Sequence, residues 1–406
     1  MATWPVELME PMRVSEGRDG GRFVELAARL QKLDTAFEAS VPQSIRAALA
    51  DLVRSMNCYY SNLIEGHNTR PRDIDRALAQ DYSDEPAKRE LQEEAKAHIE
   101  VQRLIDRGEM PAVPVTAAEW LYWCHREFYE RIGAEFRVLK NQSGKVIGRV
   151  TPGELRTVEI SVGAHQPPPA ADLPRFLARF HEAYQPDPER PIHGLLALGA
   201  SHHRLLWIHP FTDGNGRVAR LFSHAYLQAL GLCKDSLWSV SRGLARKRNR
   251  YRNLLAHADA DRRSDLDGRG HLSEIALLDF SNFFLQEVAI DQVEFMQGLM
   301  QTNSLRERVL AYVRADMAQK KLPSGSDRLI NHALTYGSLA RGEAATISGY
   351  SDRQAREAVA ALSGKGLLAS DSPRGKQVRL NFSASLAEAW FPELFAAGAA
   401  ESAEDP

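Results

Sequence analysis

Long apolar runs are missing from this chain of 406 residues. No stretch approaches the length and purity of a membrane-spanning helix, so no such helix and no membrane partner are expected. The opening residues, Met1-Ala2-Thr3-Trp4-Pro5-Val6-Glu7, show no basic segment followed by an apolar one, and no secretory leader is expected. Charge of one sign is not in excess. The 51 Lys and Arg face 53 Asp and Glu, a net of −2, which gives no global attraction to nucleic acid or to membrane. Cysteine is scarce: Cys58, Cys124 and Cys233 are odd in number and far apart. That spacing argues against a disulfide framework and against a zinc site. The three are read as buried thiols of a cytoplasmic protein.

What is there is an ordinary globular composition, in a chain long enough for two or three domains. Helical periodicity dominates. It runs through Phe23, Leu26, Leu30, Leu33 and Phe37, then from Pro42 toward Tyr59, then over 86–107, 116–132, 173–184 and 192–207. The charges along 86–107 are read as a solvated face. One stretch departs from this pattern. Arg156-Thr157-Val158-Glu159-Ile160-Ser161-Val162 is β-branched and alternating, is stopped by Gly163, and predicts a strand of a short hairpin.

The densest chemistry lies in His209-Pro210-Phe211-Thr212-Asp213-Gly214-Asn215-Gly216-Arg217-Val218-Ala219-Arg220. Two glycines around an asparagine let the backbone turn tightly and approach an anion. The periodic run from Val218 to Leu230 makes that turn the start of a helix, whose N–H groups and positive dipole end suit phosphate. Val218 and Ala219 belong to the same first turn and are placed in the ATP- and phosphate-binding set with it. Arg217 and Arg220 offer two planar forks for phosphate oxygens. Asp213 offers a hard oxygen for Mg²⁺ held mainly through phosphates. His209 stands just upstream, and histidine's unperturbed pKa lies near neutrality, so it is placed to take a proton from a nucleophile. Any one of these residues alone is more often structural. Together they point to phosphoryl or nucleotidyl transfer.

This stretch resembles the signature of the Fic family, His-Pro-Phe-x-Asp/Glu-Gly-Asn-Gly-Arg-x-x-Arg, at every fixed position. The resemblance covers roughly residues 61–290. It implies a mainly α fold with a Fic-type helical core and a small β-hairpin flap. It also implies transfer of AMP from ATP onto a protein hydroxyl, with His209 as general base and Asp213 as the Mg²⁺ ligand. Gly214, Asn215 and Gly216 would cradle the α/β phosphates, Arg217 would support them, and Arg220 would reach the γ-phosphate. Upstream, Ser61, Glu65 and Gly66 match the Ser/Thr-x-x-x-Glu-Gly/Asn inhibitory helix of many Fic proteins, in the class that carries it N-terminal to the core. There the glutamate pairs with the last signature arginine, here Arg220. The strand 156–162, with Thr157, Val158, Glu159, Ile160 and Val162, resembles the flap along which a target segment is laid. Leu155 stands where Fic flaps often carry an aromatic. The basic run 242–252 resembles segments flanking the nucleotide pocket, and Tyr251 is placed there, with Asp259 further along.

After residue 302 the pattern restarts. Helices are expected over 305–318, within 334–346 and from the capping box Ser351-Asp352-Arg353-Gln354, followed by a hairpin over 368–382. That order resembles a winged helix-turn-helix domain. Residues 305–382 carry 13 Lys and Arg against 7 Asp and Glu, so DNA contact is open. A module for protein docking or homodimer formation fits as well. The divisions read are an N-terminal helical region at 1–110 with the inhibitory helix, a catalytic core at 111–300, a winged-helix-like domain at 301–385 and a disordered tail at 386–406. The leading function is an autoinhibited, ATP-dependent protein adenylyltransferase acting on a Ser, Thr or Tyr hydroxyl of an unidentified target protein and on itself. The alternatives are a DNA-binding regulator with a nucleotide-sensing Fic unit, and a Fic enzyme that removes AMP or transfers another phosphate-containing group.

Overall fold

The computed structural model describes residues 3–15, 20–140, 146–300, 302–370, 372, 375–391 and 393–395. The chain is mainly helical. Helix α1 spans Gly20–Ser40 and α2 spans Gln43–Glu65. Helix α2 is longer than its periodicity up to Tyr59 suggests, because Ser61 to Glu65 form its last turn rather than a separate piece. Gly66 ends it in the left-handed conformation (φ 91°), with Gly66 N–H on Leu63 O and His67 N–H on Asn62 O. That paired closure is a Schellman motif, which favours glycine at this position. Helices α3 (Pro71–Leu78), α4 (Pro86–Asp106) and α5 (Ala118–Glu130) follow.

Strands β1 (Val138–Lys140) and β2 (Val146–Arg149) pair antiparallel. Here the expected hairpin is corrected: it lies upstream of Arg156–Val162. Residues 155–161 form no strand, and the only pairing nearby among the described residues is the bridge between Val162 and His165. β propensity reports fit to a pleated, half-buried surface. Thr157, Val158, Glu159 and Val162 are exposed and Ile160 is half-buried, with no partner strand.

Helices α6 (Leu173–Tyr184), α7 (Pro191–Ile208) and α8 (Asn215–Ala229) build the middle of the molecule. Helix α7 is apolar on nearly every side and is buried accordingly. Trp120 and Phe128 of α5, Phe176 and Phe180 of α6 and Phe222 and Tyr226 of α8 pack into the same core. Then come α9 (Val240–Arg246), α10 (Arg248–His257) and α11 (Glu274–Phe283). A widened π turn at Phe284–Ile290 leads from α11 into α12 (Asp291–Leu299).

The C-terminal unit holds α13 (Thr302–Ala318), α14 (Ser326–Tyr336), β3 (Ser338–Ala340), α15 (Ala344–Ser348), α16 (Asp352–Gly364), β4 (Leu368–Ala369), β5 (Gln377–Leu380) and α17 (Ala384–Trp390). The three strands form one antiparallel sheet in the order β3-β5-β4. The capping box at Ser351 and Gln354 is present. The second helix lies earlier than 334–346, because Gly337 at φ 82° stops it and Ser338–Ala340 enter the sheet. The tail read as disordered from residue 386 continues α17 up to Trp390 instead, and Trp390, Phe391, Leu394 and Phe395 are buried. Residues 396–406 lie outside the described residues. No helix among the described residues is long and apolar enough to cross a membrane.

Candidate active site

The loop between α7 and α8 carries the signature. His209 caps α7 in a left-handed conformation (φ 49°, ψ 62°), a strained position for a residue with a Cβ. Its Nδ1 lies 3.3 Å from Leu206 O. A carbonyl only accepts, so Nδ1 carries the proton and Nε2 is left as the basic nitrogen. Burial pushes the imidazole pKa down to about 4, aided by the positive charge of Arg156 and by His165 and opposed by the Leu206 bond and Asp213. At neutral pH His209 is therefore unprotonated and able to accept.

Phe211 is fully buried and stacks on the imidazole of His125, with ring centroids 4.0 Å apart. Asn215 closes the loop through both ends of its amide. Its Oδ1 accepts from Phe211 N–H at 2.9 Å, and its Nδ2 donates to Phe211 O at 2.8 Å. The Asn215 side chain thus shapes the loop. What it leaves for an anion is the backbone. Gly214 (φ 79°) precedes α8, and no side chain caps the helix. The first intrahelical bond runs from Val218 N–H to Gly214 O at 3.0 Å. The N–H groups of Asn215, Gly216 and Arg217 precede that ladder, as at any helix start. This corrects the placing of Val218 in the phosphate site: its N–H is already used, and its side chain and that of Ala219 are buried. A Cβ at Gly214 would stand 2.7 Å from the Tyr129 ring, and one at Gly216 would collide with Glu65 Oε1.

Asp213 is exposed, and two α5 residues hold it. Tyr129 Oη donates to Asp213 Oδ2 at 2.9 Å, and His125 Nε2 lies 3.2 Å from Asp213 O. No group of three or more metal-ligating side chains occurs among the described residues. One exposed carboxylate with a free oxygen fits an ion whose other ligands are phosphate oxygens and water.

The two arginines are both engaged. Arg220, 1% exposed, donates from Nε to Ser61 Oγ at 2.9 Å and from Nη2 to Glu65 Oε1 at 2.5 Å and to Ser61 O at 3.3 Å. Ser61 and Glu65 are four apart on α2, so one helix face presents both to the same guanidinium. Arg217 donates from Nη2 to Glu94 Oε1 at 2.9 Å, lies 3.2 Å from His67 Nδ1 and rests over the Phe128 ring. Burial opposes the Arg217 charge, but Glu94, Tyr129, Glu65 and Asp213 around it raise its pKa further. Burial would raise the Glu65 pKa too, yet the charges of Arg220 and Arg217 outweigh it and bring the carboxyl to about 2.

The structure therefore brings together His209, Asp213, Gly214, Asn215, Gly216, Arg217, Arg220, Ser61, Glu65 and Gly66. Tyr251 is buried, with its hydroxyl 2.9 Å from His202 Nε2, and His202 continues to Ser223 at 2.8 Å. The Tyr251 hydroxyl is spent inside the core. Asp259 pairs with His203 Nε2 at 3.0 Å. The basic run 242–252 partly serves the end of α2: Arg252 Nη2 donates to Ile64 O at 3.3 Å, and Arg248 approaches Gly66. Cations at a helix C-terminus are favourable. Sequence reading missed Glu94, His67, Tyr129, His125 and Arg156. The run of charges on α4 looked solvated, whereas Glu93 and Glu94 are 7% exposed.

A helix N-terminus, an imidazole, one carboxylate and two arginines meet in an arrangement chemically suited to phosphate. Residues 115–227 match the model of the Fic/DOC family. The signature at residues 209–220 lies inside the matched residues. Among named proteins, "Protein adenylyltransferase Fic" of Drosophila grimshawi is 36% identical over 90 residues, 21% of this chain, and the protein of the same name from Drosophila mojavensis is similar to the same degree. The match spans only 19% of the first relative's length. A crystal structure of a Fic family protein from Desulfovibrio desulfuricans G20 is alike in fold. It has a TM-score of 0.51 and 19% identity, over 89% of this chain and 96% of that one.

Proposed function

We propose that the protein is a protein adenylyltransferase that moves AMP from ATP to a Ser, Thr or Tyr hydroxyl of a target protein and to itself. The observation that carries this reading is the meeting of a neutral, tautomerically fixed His209 with the open nest of α8 in one loop. The α-phosphate would lie on the N–H groups of Asn215 and Gly216. His209 Nε2 would take the proton of the target hydroxyl as its oxygen bonds the α-phosphorus. The bond from that phosphorus to the bridging oxygen would break, and pyrophosphate would leave toward the arginines. Asp213 would hold Mg²⁺, which supplies charge neutralisation for the departing oxygens. The rest is positioning and charge stabilisation by the nest.

Glu65 would be the brake. Its carboxylate occupies the Arg220 fork that a γ-phosphate would need, and repels a triphosphate beside it. The drosophilid relatives' name supports the AMP-transfer reading, and the Drosophila match is partial. A second reading, AMP removal, draws on the same Glu65. Its side chain is 32% exposed over the nest, where a carboxylate could orient a water. The C-terminal unit, in its order of helices and three-stranded sheet, is read as a winged helix. Arg353, Gln354 and Arg356 on the outer face of α16 are available for DNA or protein. Three free, buried cysteines fit a reducing compartment such as the cytoplasm.

The test is incorporation of label from α-labelled ATP into the protein and into a lysate, by Glu65→Gly and by Glu65→Gly/His209→Ala. Labelling by the first and none by the second, with ATP binding retained, is the expected result. Labelling that survives loss of His209 would remove it as the base. Mass spectrometry of the products separates gain of AMP from its loss or from phosphate alone.

A further inference from the structure

Arg156 lies on the segment that was expected to form a strand. Its side chain is 0% exposed, and its one carboxylate neighbour, Glu159, stands 3.7 Å away and is largely solvated. Burial lowers its pKa. The donors instead serve backbone carbonyls. Nε donates to His209 O at 2.9 Å, Nη1 to Val158 O at 3.1 Å, and Nη2 to Pro168 O. Its own N–H donates to Pro210 O at 3.0 Å. One residue therefore binds two successive carbonyls of the His209 loop and closes residues 156–168 into a ring beside it.

Taking a guanidinium out of water is unfavourable unless its donors find acceptors. A residue serving only the fold could be apolar at that place. All four acceptors lie on the two strips that border the base, and one of them is the carbonyl of the strained His209 itself. We propose that Arg156 is a positioning residue for AMP transfer: it fixes His209 against the 156–168 segment, and so sets the distance between base and incoming hydroxyl. This rests on the adenylyltransferase reading. It does not involve the nucleotide nest, whose shape comes from Asn215, Gly214 and Tyr129. Loss of Arg156 should therefore separate transfer from ATP binding. A misplacement of about 1 Å at the reacting atoms lowers a rate by about 100-fold.

The experiment uses the full-length Glu65→Gly protein and adds Arg156→Met or Arg156→Lys. Lysine keeps the charge and most of the length but offers one compact head where the carbonyls need a fork. Binding of a fluorescent ATP analogue is expected to be unchanged in both. Transfer of AMP is expected to fall by about 100-fold in Arg156→Met and by less in Arg156→Lys, as a loss of kcat. A second readout is the NMR titration of His209, whose Nδ1 bonds the Leu206 carbonyl and whose charged form burial and the positive charge of Arg156 disfavour. Its pKa should rise in Arg156→Met, where the neighbouring positive charge is gone, and not in Arg156→Lys. Folded variants with unchanged transfer, or an equal loss of ATP binding and transfer, would overturn the proposal. If Arg156→Met does not fold, Arg156→Lys decides the transfer result alone. If the Glu65→Gly parent transfers no AMP, the adenylyltransferase reading fails. The His209 titration then still tests Arg156, and an unmoved pKa would count against it.

Discussion

The carboxylate of Glu65 lies 2.5 Å from Nη2 of Arg220, joining the last turn of α2 to the first turns of α8 across 155 residues of sequence. The same carboxylate sits where a Cβ on Gly216 would need to be, directly above the nest. One side chain thus occupies both the Arg220 guanidinium and the space over Gly216 at the start of α8.

Replacing Glu65 by glycine is expected to raise AMP transfer by about 10- to 100-fold. That range follows from removing one charge-assisted bond of roughly 1.5–3 kcal/mol, with the lower end favoured by the partly exposed carboxylate. Arg220→Ala should not mimic it, since the clamp is lost with the brake. The pH dependence has a definite sign. A carboxyl brought from 4.5 to about 2 stays ionised above its unfolded value, and its pair is lost only as pH falls toward 2. The ratio of variant to wild-type rate should therefore stay flat between pH 5.5 and 8. A ratio that collapses at pH 6 would mean that another group sets the brake.

Asp213 and its support give a second prediction. Asp213→Ala should abolish Mg²⁺ stimulation along with transfer. Tyr129→Phe keeps the ring against Gly214 but removes the donor to Asp213 Oδ2. It should raise the Mg²⁺ concentration needed for half-maximal transfer by about 10-fold or more, with little loss of stability. A Mg²⁺ titration of labelled-ATP incorporation reads both. Normal Mg²⁺ response in Asp213→Ala would place the ligand elsewhere.

The signature was legible because its parts are adjacent in sequence, and Glu65 because a four-residue spacing puts it on the Ser61 face. The supports of these residues were not. Tyr129 reaches Asp213 across 84 residues, Glu94 reaches Arg217 across 123, and Arg156 reaches His209 across 53. Nothing local marks such partners. Glu94 was hidden in a charged helix whose buried face is polar, because it closes over two arginines. The hairpin was misplaced for a related reason. Alternation in Arg156–Val162 suits a strand, yet a strand needs a partner, and the Arg156 side chain spends its bonds holding this segment to the His209 loop instead. Gly66 is picked out in the sequence by its motif, whereas nothing around Gly337 marks the positive φ that stops α14 there.

Stability should fall with acid before carboxylates matter. His98 and His202 are fully buried, and burial, with Arg220 next, pushes both imidazoles down to about 3. The unfolded chain takes up a proton on each near pH 6.5 while the folded chain does not, so stability is present above that pH and drops as pH falls below it. Each imidazole costs up to about 2 kcal/mol at pH 5 relative to neutral pH. Neither ring nitrogen of His98 has a hydrogen-bond partner among the described residues. His98→Leu should therefore flatten the stability loss between pH 7 and pH 5, seen as a smaller shift in the urea midpoint. An equal shift in wild type and variant would show that His98 does not titrate on unfolding.

The C-terminal unit touches α2 at both ends. At the helix start, Ser44 Oγ donates to Leu334 O at 2.9 Å. Near its end, Tyr60 Oη donates to Leu394 O at 2.9 Å, and the Tyr59 ring meets Phe395 edge-on at 5.4 Å. Tyr60 precedes Glu65 by little more than one turn, so a shift there is carried along a stiff helix to the Arg220 pair. Loosening this contact should weaken the brake without touching the catalytic loop. Tyr60→Phe combined with Phe395→Ala is therefore expected to raise basal AMP transfer, toward but not beyond the rate of Glu65→Gly. Added to Glu65→Gly, the same two changes should have no further effect, because the pair they act on is already gone. Comparing transfer rates of the four proteins measures that coupling. If the two changes leave the wild-type rate unaltered, or raise the Glu65→Gly rate equally, the C-terminal unit does not act through Glu65.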